Sequence, residues 1–194
     1  TVKNKEVIVS VQLLKRKFTV EEYNLMAEAD IFKESDRLEL IAGEIIEMSP
    51  VGMRHAACIR RLNTLLNLKL AERAIVDTQN PVVLNNTSEP EPDVALLKLR
   101  GDFYGTAHPR PVDCFLLVEV ADSTIDYDRQ IKIPLYAANG IAEVWIVDLN
   151  GEAVEVYRQP GVSGYQYLGR FMRGQILTVA AFANLTLTVD EILG

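Results

Sequence analysis

The 194-residue chain carries 20 Lys+Arg against 27 Asp+Glu, a formal net charge of -7, with 48% hydrophobic and 24% charged residues. That balance excludes a disordered chain, a collagen-like fibre and a disulfide-stapled miniprotein, and it weighs against a module that coats nucleic acid through a basic surplus. No run approaches the ~18 consecutive apolar residues a membrane helix needs, and Cys58 and Cys114 lack CxxC spacing and read as reduced thiols, so a soluble cytoplasmic protein with no membrane partner is expected.

The length suits one domain, residues 1–194. Residues 1–17, beginning on Thr1, stand apart at its start as a poorly ordered stretch or a processing remnant. Thr19-Val20-Glu21-Glu22 has the form of a capping box, predicting a helix to about Ala29. Arg37–Ile41 and Glu44–Met48 read as two strands around Ala42-Gly43. Ile59, Leu62, Leu66 and Leu70 recur at three and four, predicting a helix over Met53–Arg73. Short apolar runs follow at Ala74–Val76, Val82–Leu84, Val94–Leu97 and Cys114–Val120. Between the last two, Gly101–Val112 reads as a long mobile loop suited to substrate contacts.

Tyr127–Asn139 reads as a helix closed by Asn139-Gly140, with Ile131 and Leu135 on its buried stripe and Pro134 kinking it or shifting its start. Glu143–Asp148 and Glu152–Tyr157 form a hairpin around Asn150-Gly151. Beyond Pro160 the pattern gives further short strands and a closing Asp190–Leu193 turn. The class is therefore mixed α/β.

Several charged residues sit where apolar ones belong. Glu119 interrupts Phe115-Leu116-Leu117-Val118-Glu119-Val120-Ala121, a run apolar enough for a strand covered on both faces. An ionised carboxylate there needs a metal ion, a cation or a proton, unless it lies near the strand's end and reaches water. Asp93 opens Val94–Leu97 after Glu89-Pro90-Glu91-Pro92, and alone it would pass for a turn aspartate. On neighbouring strands the two carboxylates converge, and Mg²⁺ takes one or two carboxylates with waters and phosphate oxygens. Glu39 alternates with apolar neighbours on its strand, where a half-exposed charge is the plainer reading. His55 opens the long helix as either a capping residue or a cleft-facing one. Asp128 and Lys132, four apart on the 127–139 helix, are an exposed ion pair or a cation on the shoulder of the core.

In order, LELIAGEIIEMSP with His55 after it, EPEPDVALL, LLVEVADSTIDYDRQIK and LYAANGIAEVWIVD resemble the Uma-two family of bacterial restriction endonucleases, in the PD-(D/E)XK nuclease superfamily. The likeness runs from about Thr19 to Tyr157. It implies a restriction-endonuclease-like mixed sheet flanked by helices, with additional β-hairpins, and an endonuclease hydrolysing DNA phosphodiesters with Mg²⁺ or Mn²⁺. Asp93 and Glu119 match the motif carboxylates and Glu39 an upstream glutamate near the metal. The position two beyond Glu119, where the motif lysine ordinarily stands, is Ala121. The family's lysine on the following helix matches Lys132 instead. His55 and Asp128 are possible accessories, and Arg54, Arg60 and Arg61 candidate DNA contacts. Cutting both strands of a duplex implies a two-fold homodimer. The rival reading is a catalytically inactive nuclease-fold module for nucleic-acid binding or assembly.

Overall fold

A computed structural model describes residues 15–33 and 35–194, and most of the expectation for residues 1–17 lies outside them. Helix α1 (Val20–Glu28) starts at Thr19, whose hydroxyl accepts from the Glu22 amide while the Glu22 carboxylate accepts from the Thr19 amide. Strands β1 (Leu38–Ile41) and β2 (Glu44–Glu47) form a separate antiparallel hairpin. At its turn Gly43 has φ +77, and a Cβ there would meet the Lys17 Cβ at 2.7 Å, so only glycine fits. Helix α2 (Met53–Leu70) buries Cys58, Ile59, Leu62, Leu66 and Leu70, the face its spacing predicts.

The main sheet runs β3-β4-β5-β6-β7-β8, from β3 (Ile75–Asp77), β4 (Val94–Leu97), β5 (Cys114–Ala121), β6 (Glu143–Asp148), β7 (Ala153–Gly161) and β8 (Gly164–Met172). Only β5 and β6 pair in parallel. A parallel pair needs a crossover, supplied by α3 (Ile125–Tyr127), a wide turn over Asp128–Lys132 and α4 (Ile133–Ala138). The hairpin of β9 (Ile176–Val179) and β10 (Phe182–Thr188) and the short α5 (Val189–Leu193) follow.

Strand alternation sorts the core into two layers. One face carries Val94, Leu96, Leu116, Val118, Val120, Trp145 and Val147 against α2, the β9–β10 hairpin and α5. The other carries Ala95, Leu97, Leu117, Ala121, Val144 and Ile146 against Ile133 and Tyr136. Truncating a fully buried residue such as Leu66 to alanine costs about 2–5 kcal/mol.

Three sequence expectations are corrected. The stripe on the crossover helix is Lys132, Ile133, Tyr136 and Ala137, while Ile131 is 43% exposed and Leu135 half-buried. The wide turn shifts the periodicity by one residue. The 101–112 segment is tied to itself, with Arg100 on Asp102 and Thr106, and Tyr104 Oη donating to the Lys98 carbonyl. It joins β4 and β5 at the Leu97–Cys114 end of their pairing, away from Asp93. Finally, while β9 and β10 are the further short strands expected beyond Pro160, β7 runs past its expected end at Tyr157 to Gly161 and makes one long hairpin with β8. Pro160 pairs with Tyr165 near its tip, where a missing N–H costs little.

Candidate active site

The pairing of Val94 with Val118 runs on to set Asp93 opposite Glu119. By alternation, Asp93 shares its face with Ala95 and Leu97, and Glu119 shares the same face with Leu117 and Ala121. Both carboxylates therefore look toward the crossover helix. They line one cleft of about 630 Å³ with Glu39, His55, Tyr127, Asp128 and Lys132.

Asp93 is held from three sides. Its Oδ2 accepts from the Val120 amide at 2.8 Å and from His55 Nε2 at 2.9 Å. Its Oδ1 receives only a long contact, 3.4 Å, from Gln79 Nε2. The Gln79 amide also donates to the Asp93 carbonyl, and Gln79 has φ 54, a left-handed conformation uncommon for its type. The first turn of α2 carries His55 to the rim. Burial works against its charge, but the hydrogen bond and the negative charge of Asp93 outweigh that and raise its pKa. His55 Nδ1 is buried without a hydrogen-bond partner among the described residues.

Glu119 is 3% exposed. Lys132 Nζ lies 3.3 Å from both its carboxylate oxygens, and Tyr136 Oη donates to Oε1 at 2.5 Å. Burial pushes the Glu119 carboxyl well above the usual range, against the pull of Lys132. For Lys132, burial opposes the charge, but Glu119, Glu39 and Asp128 together hold the ammonium above its ordinary value. Asp128 is 4% exposed and accepts from Thr124 Oγ1 at 3.0 Å. Burial raises it to about 6, with Lys132 opposing. The surface-pair reading of Asp128 and Lys132 does not hold, because both are buried.

Glu39 reaches the cleft from the separate hairpin. Leu40 and Glu89 exchange backbone bonds, the Gly43 amide donates to the Thr87 carbonyl, and the Glu91 amide donates to Glu39 Oε2. Lys132 Nζ is 3.1 Å from Glu39 Oε2, and Tyr127 Oη donates to Oε1 at 3.2 Å. Three donors thus converge on Glu39, so in this arrangement it holds the lysine. Among the described residues, no three His, Cys, Asp or Glu side chains gather as a ready metal cage. Asp93 and Glu119, hard oxygen donors from adjacent strands, nevertheless match the one or two carboxylates Mg²⁺ takes alongside water and phosphate.

Gln79, Tyr127 and Tyr136 escaped sequence reasoning. Each is an ordinary polar residue whose partner lies on a distant segment, and only the backbone strain at Gln79 marks one of them, which sequence does not carry. Of the candidate DNA contacts, Arg54 is tied to Asp122, Asn150 and the Leu149 carbonyl, and Arg61 to the Ile192 and Leu193 carbonyls, while Arg60 is exposed.

The profile of the Uma2 family, described as "Putative restriction endonuclease", matches residues 20–190. Among solved structures, a crystal structure from Anabaena variabilis ATCC 29413, described as "a putative nuclease belonging to DUF820", superposes with a TM-score of 0.72 at 18% identity, over 91% of this chain and 97% of that one. That likeness carries the fold, a six-stranded mixed sheet flanked by helices with extra hairpins. No curated protein matches.

Proposed function

Because the chain belongs to the Uma2 family of restriction-endonuclease-type proteins, we propose that this nuclease-fold protein hydrolyses DNA phosphodiesters as a metal-dependent endonuclease. The observation that supports it is the meeting of Asp93, Glu119 and Lys132 in one cleft from three separate segments of chain. Asp93 Oδ1 and Glu119 would hold Mg²⁺ or Mn²⁺. Such an ion, when bound, would supply Lewis acidity and lower the pKa of the attacking water. Lys132 holds a fixed positive charge where negative charge develops on the phosphate. Glu39 orients that ammonium, and Tyr136 and Tyr127 donate to the two glutamates. His55 and the Val120 amide fix one Asp93 oxygen, while the other, touched only by the long Gln79 contact, would be the one offered to the ion.

The proposed setting is the cytoplasm, where Cys58 and Cys114, both free, stay reduced, and the proposed assembly is a two-fold homodimer, which sets two sites on one duplex. No described helix is long and apolar enough to cross a membrane, and none of the proposed chemistry needs one. A homodimer gives twice the chain mass by light scattering; a monomeric mass at working concentration counts against it.

The deciding experiment is cleavage of plasmid and single-stranded DNA with Mg²⁺ and with Mn²⁺, against an Asp93→Ala control. Metal-dependent cutting lost in the control is expected; an inert parent protein overturns the proposal. One observation favours the rival, a non-catalytic nucleic-acid-binding module: Glu119 is already engaged by Lys132 and Tyr136. That reading gains if DNA binds while neither metal gives a heat of binding.

A further inference from the structure

The crossover helix contains one turn wider than an α-turn. The Ile133 amide donates to the Asp128 carbonyl, an i to i+5 bond, with regular helix on either side. Pro134, at the start of α4, has no N–H to give and would crowd the preceding turn of a tighter helix.

The widened turn lets two sets of contacts hold together. At its start, Asp128 points into the cleft beside Thr124, and Arg129 reaches the other way. Arg129 Nε and Nη2 grip the two Glu155 oxygens on β7 at 3.1 and 2.7 Å. Asp148 stands 3.7 Å from Nη2, Tyr157 Oη donates to Glu155 at 2.8 Å, and Arg170 joins from β8 at 2.8 Å. At its end, Lys132 enters between Glu39 and Glu119, while Ile133, Tyr136 and Ala137 of α4 pack on the sheet. Each residue of an α-helix advances about 100° around its axis. With one residue fewer, the halves would be out of step by about that angle. Either Arg129 would leave Glu155, or Lys132 would leave the carboxylates. The extra residue shows as Ile131, an isoleucine left 43% exposed between the two sets.

We infer that the Asp128–Lys132 turn is a register device that sets the Lys132 ammonium in the site, with Arg129 as the positioning residue that anchors it to Glu155. The inference concerns the placement of Lys132; its bearing on catalysis rests on the nuclease reading above.

The test labels the folded protein with an amine-acetylating reagent and reads each lysine by mass spectrometry. In the parent, Lys132 is protected and the exposed Lys98 reacts. Deleting Ile131, or making Arg129→Met, raises Lys132 labelling about tenfold or more relative to Lys98, as an opened ion pair would. Ile131→Ala, which keeps the chain length, leaves it protected. A folded Ile131 deletion with Lys132 as protected as in the parent overturns the inference. If that deletion does not melt cooperatively, Arg129→Met decides, and unchanged labelling there overturns it. On DNA, Arg129→Met should lower kcat with KM unchanged. A parent inert on DNA defeats the nuclease reading, while the labelling still decides the placement.

Discussion

Lys132 Nζ bridges both carboxylate oxygens of Glu119 at 3.3 Å, with only 4% of either side chain in water. The lysine comes from the crossover helix, while the position two beyond Glu119 on the strand is Ala121, itself packed in the second core layer. Lys132→Met is expected to cut the rate of DNA cleavage by about 10²–10³-fold, the effect of losing one preorganised charge. An unpaired buried ion costs about 3–5 kcal/mol. Glu119, already pushed upward by burial, takes a proton instead, so the stability loss is well below that figure. Initial rates and thermal melts on the purified variant check both.

Asp93→Ala should remove most of the heat of Mg²⁺ binding in calorimetry and leave the melting temperature within a few degrees of the parent. Asp93 stands before β4, so its loss removes the bonds to the Val120 amide, His55 and Gln79 without opening the core. Metal affinity equal to the parent's would place the ion elsewhere. Chelation of the metal should likewise stop cleavage by the parent protein.

Asp128 carries a raised pKa, about 6 in the folded chain against 3.8, because it is buried. Its contribution to stability is therefore fully present below pH 3.8 and is lost as pH rises through 6. Asp128→Asn, which keeps the shape without the charge, should be the more stable protein at pH 8, by no more than about 3 kcal/mol. The advantage should vanish near pH 3.5. Urea denaturation at the two pH values measures it, and a constant difference would count against the buried charge.

Glu155 behaves in the opposite sense. Burial opposes its charge, but Arg129, Tyr157 and Arg170 outweigh that and lower its pKa. Its stabilisation is present above about pH 4.5 and is lost as pH falls through the depressed value. Glu155→Gln should cost about 2 kcal/mol at pH 7. That is less than for a wholly buried pair, because Arg129 and Arg170 keep 34% and 44% of their side chains exposed. The cost should shrink toward pH 3, as read by the same denaturation series.

Much of this was legible in the residues. The Thr19–Glu22 box, the α2 stripe and the apolar run around Glu119 each rest on local spacing, which the folded chain keeps. Glu119 stood out because a charge in apolar company needs a reason, whereas Asp93, alone a turn aspartate, gained weight from its pairing with Glu119, and Lys132 from the family resemblance. The crossover helix departs from its expected stripe at Ile131, while Leu135 still packs half-buried on the second layer, because a fixed advance per residue cannot represent a widened turn, and Pro134 is its one local sign. Tyr136 and Gln79 were missed for another reason: each is defined by a partner brought near only by tertiary packing. The 101–112 loop misled in the same way, since glycine and proline mark a turn but not the end of the sheet where it lies.

Glu39 belongs to a two-stranded hairpin outside the main sheet, joined to the 85–91 segment by a handful of backbone bonds. Such a flap can lift as a unit without disturbing β5 or β6. The amides of Leu40, Gly43 and Glu89 should then trade protons with solvent together and well ahead of those in Leu117–Val120. Whenever they do, Lys132 has lost one of its two carboxylates, so isotope uptake at these three backbone positions is a clock for how often the lysine is set free.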